Sequence, residues 1–191
     1  MKSIKGTRTE QNLLKAFAGE SQARNRYNLF ASQAQKEGFN QIAKMFNETA
    51  ENERIHAKRF FGFLEGGEVE ITATYPAGIV KSTYENLLHA AHGENEEYTV
   101  LYPEFAAIAK EEGFLEVSAA FTLIAKVEKE HEQRYLALAK NIEENHVFSK
   151  DEKQRWKCDK CGYIHESKDA PDTCPACQHP KAYFELDSHN Y

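Results

Sequence analysis

Glu53-x-x-His56 and Glu128-x-x-His131 each set a carboxylate and an imidazole one helical turn apart on a single face. Glu20 and Glu94 lie at equivalent depths on two further helical stretches. One Glu from each of two helices, with Glu-x-x-His from each of two others, is the ligand pattern of a di-iron carboxylate site inside a helical bundle. Hard carboxylates hold ferrous and ferric ions, imidazoles fill the outer positions, and room is left for a small oxidant. A single Glu-x-x-His is more often a solvated helix face. Two in register, with glutamates at helix midpoints, need compensation for burial, and two non-haem irons supply it.

Glu97 stands one turn after Glu94 on the same face. Beside Glu96 it reads either as a surface glutamate or as a fifth carboxylate of the site. Charge favours the second reading. An oxo-bridged diferric pair and a diferrous pair both carry +4, so five carboxylates leave −1 overall and four leave 0. One carboxylate can then be exchanged for neutral His56 on reduction, since imidazole suits ferrous iron. Tyr27, seven residues after Glu20, and its counterpart Tyr102 are placed to hydrogen-bond a ligand carboxylate or supply a proton; simple core packing is the alternative. Glu48, Glu51, Glu96 and Glu130 fall off the ligand face, and His89, His92 and His146 read as surface residues.

A second metal-binding pattern occupies the end of the chain. Cys158-x-x-Cys161 and Cys174-x-x-Cys177 contain all four cysteines. Paired knuckles place four thiolates tetrahedrally for zinc or a single iron, and spacing does not choose between them. Zinc would make a structural ribbon, and iron a one-electron carrier. With four sulfurs completing the site, His165 and His179 are spare.

These residues need long helices to position them. Residues 9–145 are rich in Ala, Glu, Lys, Gln and Leu, with apolar residues at three and four spacing. Breaks at Glu37-Gly38-Phe39, at Glu65-Gly66-Gly67 running to Pro76-Ala77-Gly78, and at Glu112-Gly113-Phe114 cut the region into four helices. The outer breaks are short, so each joins antiparallel neighbours. The middle one is long enough to cross the bundle, with Val69-Glu70-Ile71-Thr72-Ala73 extended within it. The prediction is a mainly α protein: a ferritin-like four-helix bundle with one long crossover.

The two hairpins are an internal duplication. Asn12-Leu13-Leu14, Ala16 and Gly19-Glu20 recur 74 residues later as Asn86-Leu87-Leu88, Ala90 and Gly93-Glu94. From Tyr27 and Tyr102 onward the offset is 75, through Glu53/Glu128 and His56/His131. One extra residue therefore lies in the third helix between Glu94 and Tyr102. Pro103 just beyond it lacks a backbone donor, and the spacing predicts a π-bulge or kink there. Domains are expected at 1–148 for the bundle and 156–191 for a small metal-knuckle unit, joined by a linker over 149–155. The small unit is too short to bury an adequate core without a metal.

Composition limits the partners. No apolar run approaches the roughly 18 residues of a membrane helix, so no membrane is expected. Residues 1–9 carry two lysines with no apolar stretch behind them, and a cytoplasmic protein is the expectation. A net charge of −6 argues against nucleic acid.

Taken together, the bundle motifs and the run Cys158-Asp-Lys-Cys161-Gly162-Tyr163 resemble the rubrerythrin family, a ferritin-like di-iron domain fused to a rubredoxin-like domain, over nearly the whole chain. The resemblance implies iron, not zinc, at the four cysteines. It implies di-iron ligands Glu20, Glu53, Glu94, Glu97, Glu128 and His131, with His56 replacing Glu97 on reduction and Tyr27 and Tyr102 behind the ligands. It further implies a peroxidase that reduces hydrogen peroxide to water in defence against oxidative stress. Electrons would come ultimately from a reduced pyridine nucleotide, through a rubredoxin or flavoprotein reductase, in a head-to-tail homodimer. Two departures are the shorter stretch between knuckles and Gln178, where rubredoxins usually carry glycine. Rival readings on the same residues are a ferroxidase or iron-handling protein, and a structural protein with a zinc ribbon.

Overall fold

The computed structural model describes residues 2–189. Five α-helices and three short strands follow in the order α1 (Arg8–Lys36), α2 (Asn40–Phe61), α3 (Thr83–Glu96), α4 (Tyr102–Glu111), α5 (Leu115–Glu143), β1 (Ser149–Cys158), β2 (Ile164–Asp169) and β3 (Phe184–Leu186). Between α3 and α4 the backbone continues without a break as a π turn over Glu97–Leu101, so the bundle has four rods. This is the position that the change of offset marks. The Tyr102 N–H reaches back five residues to the Glu97 carbonyl, which takes up one extra residue without ending the helix.

The α1–α2 and α4–α5 connections are built alike. Gly38 and Gly113 adopt φ of +82° and +86°, which only glycine enters without strain. At each, the next amide bonds back over five residues, Phe39 to the Ala34 carbonyl and Phe114 to the Ala109 carbonyl, both at 2.8 Å. That is the Schellman closure, and it turns the chain tightly enough to set the two helices antiparallel. The glutamate before each glycine caps the other hairpin. Glu37 accepts from the Thr83 amide at 2.9 Å, and Glu112 from the Thr9 amide at 2.9 Å. Two donors that a helix N-terminus leaves open are thereby satisfied, and the duplicated halves are locked to each other.

Residues 68–82 cross the bundle without regular helix or strand. Tyr75 pins the crossover by donating to the Lys15 carbonyl at 2.7 Å. Ser82 and Glu85 then form a reciprocal capping box that starts α3.

Two apolar clusters fill the bundle on either side of its middle. One gathers Tyr27, Phe30, Phe46 and Tyr135, the other Leu13, Phe60, Tyr102, Phe105 and Phe121. The buried charged residues lie between them. No helix of the described residues is long and apolar enough to cross a membrane.

The C-terminal unit is a three-stranded antiparallel sheet in the order β2-β1-β3, with Trp156 paired to His165 on one side and Leu186 on the other. Trp156, Cys158, Cys174 and Phe184 form its small core. Residues 149–155, expected as a linker, instead form the first part of β1. Their charged side chains suit a mostly exposed strand, and the pairing with β2 is irregular between Ser149 and Gln154. The unit rests on the α1–α2 turn. Phe148 stacks on Phe39 at 6.3 Å between centroids, and Lys44 reaches Asp159 at 2.5 Å and Glu185 at 3.0 Å.

Candidate metal centres

Each helix brings its expected group to the middle of the bundle. Glu20 comes from α1, Glu53 and His56 from α2, Glu94 from α3, and Glu128 and His131 from α5; all six are buried. They form two overlapping sets of four, Glu20–Glu53–His56–Glu128 and Glu53–Glu94–Glu128–His131, with ligand atoms within 4.8 Å of one another in each. Glu53 and Glu128 belong to both sets, so each could serve two ions.

How these atoms face one another bears on what they hold. His131 Nδ1 lies 2.8 Å from Glu128 Oε2 and 3.3 Å from Glu53 Oε1, yet it has no hydrogen-bond partner in acceptable geometry. Glu20 Oε2, Glu53 Oε1, Glu94 Oε2 and both oxygens of Glu128 are likewise buried and unsatisfied. Buried carboxylates with unused lone pairs are costly. Converging in two fours, with oxygen and imidazole donors, they fit a pair of iron ions.

The remaining ligand atoms are held from outside. Tyr27 donates to Glu94 Oε1 at 2.6 Å and Tyr102 donates to Glu20 Oε1, each from the opposite hairpin. Asn52, which sequence reasoning did not single out, lies 3.3 Å from His131 Nε2. An Nε2–H donated to it leaves Nδ1 free for metal, and such outer bonds fix a ligand's tautomer and orientation. The repeat gives no sign of its role: Asn52 matches Val127 at offset 75, one of many places where the two halves differ. His56 has no such support: its Nδ1 lies 2.9 Å from Glu53 and Glu128, and no partner among the described residues holds its Nε2.

Glu97 belongs to neither set of four. It sits half-buried at the start of the π turn, at the edge of the cluster. The turn is clamped to α5 through Glu132, which accepts from Tyr98 at 2.8 Å and Asn95 at 2.9 Å. His56 thus lies among the clustered ligand atoms, and Glu97 borders them from the π turn. Glu48, Glu51, Glu96, Glu130, His89 and His92 are exposed, as their phase requires, and His146 is half-buried.

Before metal binds, burial and neighbouring charge set the protonation of these groups. Burial pulls the imidazoles down, but Glu128 and Glu53 push His56 up to about 9, and the same pair with Glu94 pushes His131 up to about 12. Burial pushes Glu53 up, and His131 and His56 outweigh it, bringing this carboxyl down to about 2. Burial and the neighbouring carboxylates raise Glu94 to about 8 and Glu20 well above its ordinary value. At neutral pH the site therefore holds protons that metal must displace, and rising pH favours loading.

In the tail, the four Sγ atoms also lie within 4.8 Å of one another, with Cys158–Cys177 and Cys161–Cys174 at 3.7 Å. A tetrahedron with bonds of about 2.3 Å has edges of about 3.8 Å, so the thiolates are spaced for one metal ion and not for disulfides. Both knuckles turn through left-handed backbone, Gly162 at φ +77° and Gln178 at +63°. Gln178 compensates with side-chain bonds to the Cys174 and Pro175 carbonyls, both at 3.4 Å. Gln178→Gly is expected to leave the tail's stability unchanged or raise it by up to about 1 kcal/mol, whereas Gln178→Val costs about 1–2 kcal/mol. Loss of the thiolate-to-metal absorption on heating reads both.

The fold and the two centres define a class, a ferritin-like di-iron carboxylate bundle joined to a rubredoxin-like tetracysteine domain. Residues 11–139 match the family model of rubrerythrin, and residues 156–185 that of the rubrerythrin rubredoxin-like domain. The chain belongs to the rubrerythrin family. It is 63% identical over 190 residues to rubrerythrin of Porphyromonas gingivalis, covering 100% of this chain and 95% of that one. It is 58% identical over 186 residues to rubrerythrin of Nitratidesulfovibrio vulgaris, covering 97% of each. Among solved structures, mixed-valence nigerythrin superposes with a TM-score of 0.64 at 31% identity, covering 97% of this chain and 92% of that one. Iron is the metal of this family, and the oxygen-rich bundle site and the four thiolates both suit it.

Proposed function

We propose that this chain is a non-haem di-iron peroxidase that reduces hydrogen peroxide to water in the cytoplasm, protecting against oxidative stress. The reading rests on one observation above all: an anchored His131 faces an unanchored His56, with Glu97 waiting on a π turn beside it. A carboxylate and an imidazole that can trade places let the ligand set follow the oxidation state, the neutral imidazole suiting ferrous iron and leaving no net buried charge. Bound iron supplies two electrons together, and with two protons these convert one peroxide into two waters. Tyr27 and Tyr102 hold Glu94 and Glu20 in place during the exchange. Their hydroxyls, buried and raised by that burial and by the carboxylates beside them, stay protonated.

The proposed route of electrons runs through the four-cysteine iron, refilled by a rubredoxin or flavoprotein reductase that draws on NADH. Within one chain the tail touches α2 at Phe39 and Lys44, about 14–21 Å along the helix axis from Glu53. In a head-to-tail homodimer the partner's tail would instead face the bundle's flank, where His131 and Asn52 line an open groove of about 510 Å3. This supports a head-to-tail homodimer.

The test is stopped-flow oxidation of the anaerobically reduced, iron-loaded protein. With one equivalent of hydrogen peroxide the visible thiolate-to-iron band is expected to return at least about tenfold faster than with oxygen at the same concentration. Faster return with oxygen would mark a ferroxidase. Absence of any visible band would mark a zinc ribbon.

A further inference from the structure

Glu97 borders the site from the one stretch of the bundle whose helix is irregular. Over Glu97–Leu101 the backbone runs as a π turn, closed by the Tyr102 N–H on the Glu97 carbonyl, and such a turn interrupts the i→i−4 ladder that stiffens a helix. Side chains supply what the ladder does not. Asn95, two residues before Glu97, and Tyr98, the residue after it, both donate to the Glu132 carboxylate on α5, at 2.9 and 2.8 Å. Asn95 Nδ2 also donates to the Tyr98 hydroxyl at 3.1 Å, and the Thr99 hydroxyl donates to the Asn95 carbonyl at 2.6 Å. Asn95, Tyr98 and Glu132 are all half-buried. Hydrogen bonds to a carboxylate are roughly twice as strong as neutral ones, so this clamp fixes the backbone on both sides of Glu97.

The repeat ties the clamp to the turn. Asn95 and Tyr98 fall in the window that holds the extra residue, and Glu132 matches Ala57 at offset 75, a side chain with no acceptor to offer. The clamp is also complete while Glu97 belongs to neither set of four ligands. It therefore orders the turn before the carboxylate is used.

We propose that Glu132 is a positioning residue for Glu97: through Asn95 and Tyr98 it holds the π turn so that the carboxylate stands in place to join the oxidised pair. The proposal rests on the ligand exchange put forward above. Only the oxidised ligand set uses Glu97, so the entropy of ordering a loose turn falls on that set alone. Losing the clamp therefore shifts the equilibrium toward the reduced pair.

The experiment is a redox titration of the full-length, iron-loaded protein, followed by Mössbauer spectroscopy, which separates the di-iron pair from the tail iron. Glu132→Ala is expected to favour reduction of the pair about tenfold, or about 30 mV for a two-electron couple. Tyr98→Phe removes one hydrogen bond and no charge, and should shift the equilibrium the same way by about threefold. Glu132→Gln should recover at least half of the Glu132→Ala shift, because its amide oxygen still accepts from Tyr98. Equal shifts in the two Glu132 variants would mean that the lost charge acts through space on the irons, and would overturn the proposal. Glu97→Ala should also favour the reduced pair, and in that background Tyr98→Phe should add nothing. A Tyr98→Phe shift of undiminished size without Glu97 would overturn the proposal too. So would wild-type equilibria in Tyr98→Phe and Glu132→Ala while Glu97→Ala moves the potential, in which case the exchange stands without the clamp. If Glu97→Ala itself changes nothing, the exchange fails, and the role of Glu132 with it. Should Glu132→Ala not load iron, since it follows His131 in the chain, Tyr98→Phe alone and in the Glu97→Ala background carries the same test.

Discussion

Glu128→Ala is expected to lower the iron content from three atoms per chain to one, and peroxide turnover by more than about 100-fold. Glu128 lies in both sets of ligands, as does Glu53. Losing a carboxylate that serves two ions differs in kind from losing an outer hydrogen bond, which already costs about 10–100-fold in metal affinity. The tail iron should remain, because its four thiolates belong to a separate core with its own sheet. The visible thiolate spectrum would therefore persist in a protein that no longer consumes peroxide. A thermal measurement checks the same point. Ferrous ion at 100 times its dissociation constant stabilises the wild-type bundle by about 2.7 kcal/mol through binding the folded state alone. The Glu128→Ala bundle should show no such rise. Glu130→Ala, two residues along on the exposed face, is the control and should behave as wild type.

This prediction was already legible in the sequence, and the reason is the duplication. A ligand in one half has a mate in the other, so Glu20, Glu53, His56, Glu94, Glu128 and His131 could each be read twice. The jump in offset from 74 to 75 located the π turn to within a few residues, because a helix can absorb one extra residue only as such a turn or a kink. What the duplication could not reveal is what breaks it. Asn52 opposite Val127 looks like an ordinary surface substitution until His131 Nε2 is seen against it. That Glu97 belongs to neither set of four is likewise beyond what spacing along a helix fixes. Residues 149–155 show why charged stretches mislead. Without alternating apolar residues they carry no strand period, and it is pairing with β2 and the Trp156 anchor that makes them a strand.

The same asymmetry predicts unequal outcomes for the two histidines. His131→Ala should empty one half of the iron pair in either oxidation state. His131 is buried, approaches Glu53, Glu94 and Glu128 with one nitrogen, and is oriented through Asn52 with the other. His56→Ala should leave the oxidised protein with its full complement of iron, because Glu97 stands ready to supply the missing ligand. Peroxide turnover should nevertheless fall about 100-fold, since the reduced pair loses the neutral group that balances it and the reacting geometry with it. Asn52→Ala separates orientation from ligation: the imidazole stays, and iron affinity should drop about 10–100-fold. Iron content of the oxidised protein, set against the rate of peroxide consumption, distinguishes the three variants. Equal iron loss from His56→Ala and His131→Ala would mean that His56 is a permanent ligand. The exchange with Glu97 would then be untenable, because a group needed in both states cannot also be the one that enters on reduction.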